Sequence, residues 1–190
     1  MKNILCFLYD TYADFEIALV CSYLNLNENI KITYISYEKD FVLSSAGFTI
    51  KPDLTVKEAL NLVNEIDGLI IPGGFERPFH LELKELIRKL FDGKKLLAAI
   101  CAGPEFLAKS GILENIKFTA AVEPQEYDEK NEKDPFPRYN YLEERMVKDN
   151  NIITAKGNAF IDFALEIFEW FKLYDYETER EECKIMWSPD

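Results

Sequence analysis

Short, nearly continuous apolar runs alternate with segments of helical spacing through the first hundred residues. Asn3 to Tyr9 predicts a strand, Asp14 to Leu26 a helix, and Ile30 to Ser36 a second strand. Phe41-Val42-Leu43 and Phe48-Thr49-Ile50, parted by Ser44-Ser45-Ala46-Gly47, predict a small hairpin. Gly68 to Ile71 reads as a strand running into Pro72-Gly73-Gly74, Leu81 to Phe91 as a helix, and Leu96 to Ile100 as another buried strand. Apolar strands without alternation, separated by amphipathic helices, indicate an α/β fold with a parallel sheet covered on both faces.

Two helices differ in character. Near the C-terminus, Phe160, Phe163, Ala164, Ile167, Phe168 and Phe171 form one apolar stripe opposite Asp162, Glu166, Glu169 and Lys172, a pattern of core packing rather than of a cofactor site. The first helix is apolar nearly all round, through Phe15, Ile17, Ala18, Leu19, Val20, Cys21, Tyr23 and Leu24, so it is either central or covered by a partner subunit. Gln125 to Pro137 is charged, proline-bearing and aperiodic, which predicts an exposed loop; Asp175 to Asp190 is an acidic extension with an isolated Met186-Trp187.

The chain has 190 residues, a length suited to one domain with a full core, and 34 acidic against 22 basic residues give a net charge of −12. Such a surface repels nucleic-acid phosphates and anionic lipid, and no apolar run is long enough to span a bilayer. The N-terminus reads as a strand rather than a signal peptide, so the expectation is a cytoplasmic protein. Cys6, Cys21, Cys101 and Cys183 show no C-x-x-C spacing, and His80 is the single histidine. A disulfide framework and a structural zinc or His-rich metal site are therefore not expected, nor is a cofactor. Cys6 and Cys21 lie in apolar stretches and read most simply as small buried hydrophobes.

Cys101 is different. Leu96 to Ile100 is a buried strand that runs straight into a helix start at Ala102-Gly103-Pro104, and Ala99 and Gly103 are the small flanks of a nucleophile elbow with cysteine in place of serine. A sharp turn strains the nucleophile's backbone, so bulky flanks do not fit. A helix N-terminus aimed at the sulfur favours the thiolate, which predicts a depressed thiol pKa. A buried structural cysteine is the alternative; the coincidence of strand, turn and small flanks argues against it. The Gly73 and Gly74 N–H groups leave a strand at the same edge and can approach an oxyanion, although Gly-Gly is also an ordinary tight turn. Glu16 follows the first strand there. Spacing alone leaves open whether it bonds the sulfur or merely favours the start of the first helix.

These residues, Ala99 to Pro104 together with Ile70-Ile71-Pro72-Gly73-Gly74 and Ala13-Asp14-Phe15-Glu16, resemble the DJ-1/ThiJ/PfpI superfamily. Val147 to Gly157 and Phe163-Ala164-Leu165 fit the family's hairpin, glycine and last large helix, so the likeness covers about residues 1 to 174 as a single domain, with 175–190 outside it. The resemblance implies a flavodoxin-like, doubly wound, mostly parallel sheet, usually in a dimer. It implies Cys101 as nucleophile or oxidation site, Glu16 bonded to the sulfur, and Gly74 and Ala102 N–H groups lining an anion pocket. Activities in the family include proteases or amidases, hydratases, glyoxalase-like and deglycating enzymes, redox sensors and chaperones.

One departure narrows the choice. The protease branch carries histidine directly after the cysteine, where this chain has Ala102, and other members place one before a proline where this chain has Glu123-Pro124. A Cys–His dyad must use His80, just beyond the Pro-Gly-Gly loop, or not exist. An efficient protease is therefore not expected. The expectation is a cysteine-dependent enzyme acting through Cys101 and Glu16 on a small electrophile such as an aldehyde, amide or nitrile. The alternative is a non-catalytic dimeric module of oxidative-stress response, whose Cys101 is oxidised. The partners expected are a small-molecule substrate and a second copy meeting through the first helix.

Overall fold

The computed structural model describes residues 1–188. The elements run β1 (Lys2–Phe7), α1 (Phe15–Leu26), β2 (Ile30–Ser36), β3 (Val42–Leu43), β4 (Thr49–Ile50), β5 (Leu54–Thr55), α2 (Val56–Asn61), β6 (Gly68–Ile71), α3 (Leu81–Asp92), β7 (Leu96–Ile100), α4 (Pro104–Lys109), α5 (Pro124–Lys130), β8 (Met146–Asp149), β9 (Ile152–Ala155), α6 (Phe160–Phe171) and α7 (Glu179–Trp187). Seven strands form one sheet in the order β5-β2-β1-β6-β7-β9-β8, parallel except for the β8–β9 pair. The central strands β6 and β7 are buried along their whole length, which explains why they carry no alternation. One helical layer is built from α1 packed on α6; in the other, α3 contacts both α2 and α4.

The order of the sheet decides where chemistry can happen. The chain moves outward from β1 through β2 to β5, then returns to the other side of β1 as β6 and β7. That reversal is a topological switch point, and ligands bind beyond the carboxyl ends of the strands there. The turns that follow β1, β6 and β7 carry Glu16, Gly73 and Cys101 respectively.

Two segments differ from the sequence expectation. Residues 124–130 form α5 instead of an exposed loop, because Pro124 supplies a preset φ at the first helical position, Tyr127 is buried, and Asn131 closes the helix in the left-handed conformation at φ +53°. A seven-residue helix with one buried position leaves too short a stripe to read as periodic. The tail also gains structure. It folds back as α7, whose Trp187 ring meets Tyr23 of α1 at 4.5 Å between centroids and donates an indole N–H to its hydroxyl at 3.1 Å. The tail's isolated tryptophan is thus an anchor. The 42–43/49–50 hairpin pairs as expected.

Candidate active site

The strand β7 ends at Ile100, and Cys101 adopts φ +61°, the left-handed region that costs a non-glycine residue about 1–2 kcal/mol. Its backbone is pinned on both sides: the Cys101 N–H donates to Ala155 at 2.7 Å, and its carbonyl accepts from Ala121 at 2.8 Å. Gly103 then turns the chain with an N–H to Ile100 at 2.8 Å, and α4 begins at Pro104. The sulfur is thereby held proud of the sheet edge, half-buried, with the Ala102 N–H bonded to it.

Glu16 lies in the first turn of α1 but is buried, at 2% exposure. Its Oε2 accepts the Gly73 N–H at 2.7 Å, and the carboxyl bonds the Cys101 sulfur. The rival role as a helix-start charge belongs to Asp14, whose carboxylate accepts the Phe15 N–H at 2.8 Å. Glycine is required around this contact. A Cβ at Gly73 would stand 2.8 Å from the Cys101 Cβ and 2.9 Å from Glu16 Oε2, and one at Gly157 would stand 3.0 Å from the sulfur itself.

The electrostatics correct the expectation of a depressed thiol. Burial, then the charge of Glu16, push the Cys101 thiol up to about 12, against the smaller lowering by the Ala102 N–H and Arg77. The helix that was to provide the dipole is only six residues long. Burial likewise raises Glu16 to about 7, opposed by the Gly73 N–H and the thiol. Between these two values the pair holds one proton, passed between a carboxyl and a sulfur in direct contact.

Comparisons with known proteins bear on the family and the fold. The sequence model of the DJ-1/PfpI family matches residues 2–170. The chain belongs to the DJ-1/PfpI family. A Bacillus subtilis relative named uncharacterized protease YdeA is 30% identical over 98% of this chain and 90% of its own. The deglycase PfpI of Pyrococcus furiosus is 34% identical over 56% of this chain and 66% of its own. Among solved structures, the DJ-1 superfamily protein Atu0886 of Agrobacterium tumefaciens superposes with a TM-score of 0.82 at 28% identity, covering 98% of this chain and 97% of its own. The flavodoxin-like, doubly wound sheet expected from the sequence is the fold seen.

Of the anion-pocket groups named from the sequence of this DJ-1/PfpI member, the Gly73 N–H is committed to Glu16, so it is not free for an oxyanion. Among the described residues the Gly74 N–H meets no protein acceptor. His80 stands elsewhere: it precedes α3, stacks on Tyr37 with ring centroids 3.8 Å apart, and places Nδ1 3.8 Å from Glu82. Among the described residues no hydrogen bond or ion pair joins it to Cys101 or Glu16. Glu123 is an exposed residue preceding α5 and makes no capping bond.

Four residues that the sequence reading passed over, Tyr9, Arg77, Glu105 and Glu126, brace the site. The Tyr9 hydroxyl donates to the Pro72 carbonyl at 3.1 Å beneath the Pro-Gly-Gly turn. Arg77 is paired with Glu105 and Glu126 and donates to the Gly74 carbonyl at 3.2 Å, so a half-buried cation ties the turn to α4 and α5. Burial and these carboxylates act on it in opposite senses, and the net is a guanidinium held above its ordinary pKa. Arginine following Pro-Gly-Gly was the only available signal, and its two partners lie 28 and 49 residues away. A polar cavity of about 430 Å³, lined by Ala121, Arg145, Lys156 and Gly157 among others, adjoins Cys101 through Gly157. Among the described residues no three His, Cys, Asp or Glu side chains are placed to hold a metal ion, and no helix is long and apolar enough to cross a membrane.

Proposed function

We propose that this DJ-1/PfpI protein is a cysteine-dependent enzyme that adds Cys101 to a small carbonyl compound, aldehydes foremost among aldehyde-, amide- and nitrile-like electrophiles. The observation that carries this reading is the Cys101–Glu16 contact, with Glu16 locked in place by the Gly73 N–H. As the sulfur bonds to the carbonyl carbon, its proton passes to the Glu16 carboxylate. The carbonyl π pair moves to oxygen, where the Gly74 N–H receives it, joined by the Ala102 N–H as that group leaves the sulfur now bonded to carbon. The Glu16 carboxyl then returns the proton to that oxygen, giving a neutral hemithioacetal. One proton circulates and none is lost, which suits a pair that holds one proton.

Peptide hydrolysis is poorly served. Expelling an amine requires its nitrogen to be protonated, and His80 is engaged with Tyr37 and Glu82 away from the thiol. The second reading, an oxidisable sensor in the oxidative-stress response, rests on the half-buried sulfur lying beside a carboxyl that can donate to a sulfinate oxygen; a thiol held up at about 12 slows oxidation and addition alike. The discriminating experiment is a screen of small aldehydes, amides and nitriles with wild type, Cys101→Ser and His80→Ala. Turnover of aldehydes that is abolished in Cys101→Ser and unchanged in His80→Ala supports the enzyme. No turnover of any class, with Cys101 oxidised by dilute peroxide, supports the sensor.

A further inference from the structure

Cys6 in β1 and Cys21 in α1 play no part in the site above, yet they face each other across the layer between helix and sheet. The Cys21 thiol donates to the Cys6 sulfur at 4.0 Å. Cys6 is wholly buried and Cys21 is 6% exposed. From this geometry we propose that Cys6 and Cys21 form a two-coordinate site for a soft monovalent d10 cation, Cu(I).

The sulfur separation selects the chemistry. A disulfide requires the sulfurs to close from 4.0 Å to about 2.05 Å, which demands a matching approach of helix and strand. Metal–thiolate bonds of about 2.2–2.3 Å make a linear S–M–S unit about 4.5 Å long, which side-chain adjustment of about half an ångström accommodates. Two thiolates without a third or fourth ligand suit Cu(I) and exclude tetrahedral Zn(II). Ligation releases two protons, one from each thiol, and leaves a bis-thiolate complex of charge −1; no electron is transferred.

The surroundings supply a path and a partner for the charge. Cys21 lines an apolar cavity of about 650 Å³ together with Leu8, Tyr12, Ile17, Tyr34 and Phe48. Phe48 is 65% exposed at its rim, so in a single copy of the chain the cavity reaches solvent. The Tyr34 hydroxyl bonds the Cys21 sulfur and can donate to the anionic complex.

The test is an anaerobic titration of the full-length protein with Cu(I) supplied as its bicinchoninate complex. Wild type and Cys101→Ser should each withdraw one equivalent, and X-ray absorption should show two sulfurs at about 2.2 Å in a linear arrangement. Cys21→Ala and Cys6→Ala should bind it roughly 100-fold or more weakly. If Cys6→Ala does not fold, Cys21→Ala, a truncation on the cavity wall, carries the test alone. Undiminished uptake by Cys21→Ala, or loss of the equivalent in Cys101→Ser, would overturn the proposal.

Discussion

A carboxyl and a thiol share one dry corner, and burial raises both. For Glu16 the sign follows from linkage. A carboxyl raised from 4.5 to about 7 binds its proton more tightly in the folded state, so the stability it contributes is complete below the unfolded value and lost as pH rises through about 7. A shift of that size corresponds to about 3 kcal/mol. Glu16→Gln should therefore be more stable than wild type at pH 8, by up to about 3 kcal/mol, with the difference shrinking towards zero at pH 4; urea midpoints at the two pH values measure it. A Glu16 that only stabilised the start of α1 would give the opposite sign at pH 8. His80→Ala should leave the alkylation rate of Cys101 within about twofold, because its ring belongs to the Tyr37 stack. At this scale the elbow was legible, since Ala99, Cys101 and Gly103 are contiguous and their sizes carry the message. The direction of the thiol shift was not: it depends on burial and on a carboxylate 85 positions earlier in the chain, which no local pattern reports.

Among the elements, the strands were the most legible part because full burial forces a continuous apolar run. Helices were legible in proportion to their length. α1, α3 and α6 each span 12 residues and appear in the spacing, whereas α2 is fixed by a capping box, Thr55 with Glu58, and α5 by Pro124 and one buried tyrosine. The loop before α6 carries an untested demand. A methyl group at Gly157 would press on the Cys101 sulfur, so Gly157→Ala should slow alkylation of Cys101 by about tenfold or more while the far-ultraviolet spectrum is retained. Unchanged alkylation would mean that the sulfur does not stand against this loop. The tail makes a separate demand. Trp187 holds α7 to Tyr23 and Phe168, so Trp187→Ala should lower stability by about 1–2 kcal/mol, read from thermal unfolding.

At the scale of the molecule, the surface of α1 is the unfinished part. Its inward residues Ile17, Val20, Cys21 and Leu24 are buried, but Phe15 and Leu26 stay 55% and 77% exposed, and Phe41, Leu43 and Phe48 of the neighbouring hairpin are open as well. An apolar surface of this extent on a chain of charge −12 fits a second copy better than a phosphate-bearing partner. A homodimer through α1 is expected by light scattering at micromolar concentration, and Ala18→Arg, an exposed position in mid-helix, should convert it to a folded monomer. The central claim is that one proton is shared between Glu16 and Cys101, and the pH profile of Cys101 alkylation by iodoacetamide tests it most directly. Wild type should rise through pH about 7 to a plateau, as the pair gives up its first proton, and rise again only toward pH 12. Glu16→Gln should lose the step near 7 and show one step, below 12, because the carboxylate that raised the thiol is gone. A step near 7 that survives in Glu16→Gln, or a wild-type profile with no step there, would contradict the account.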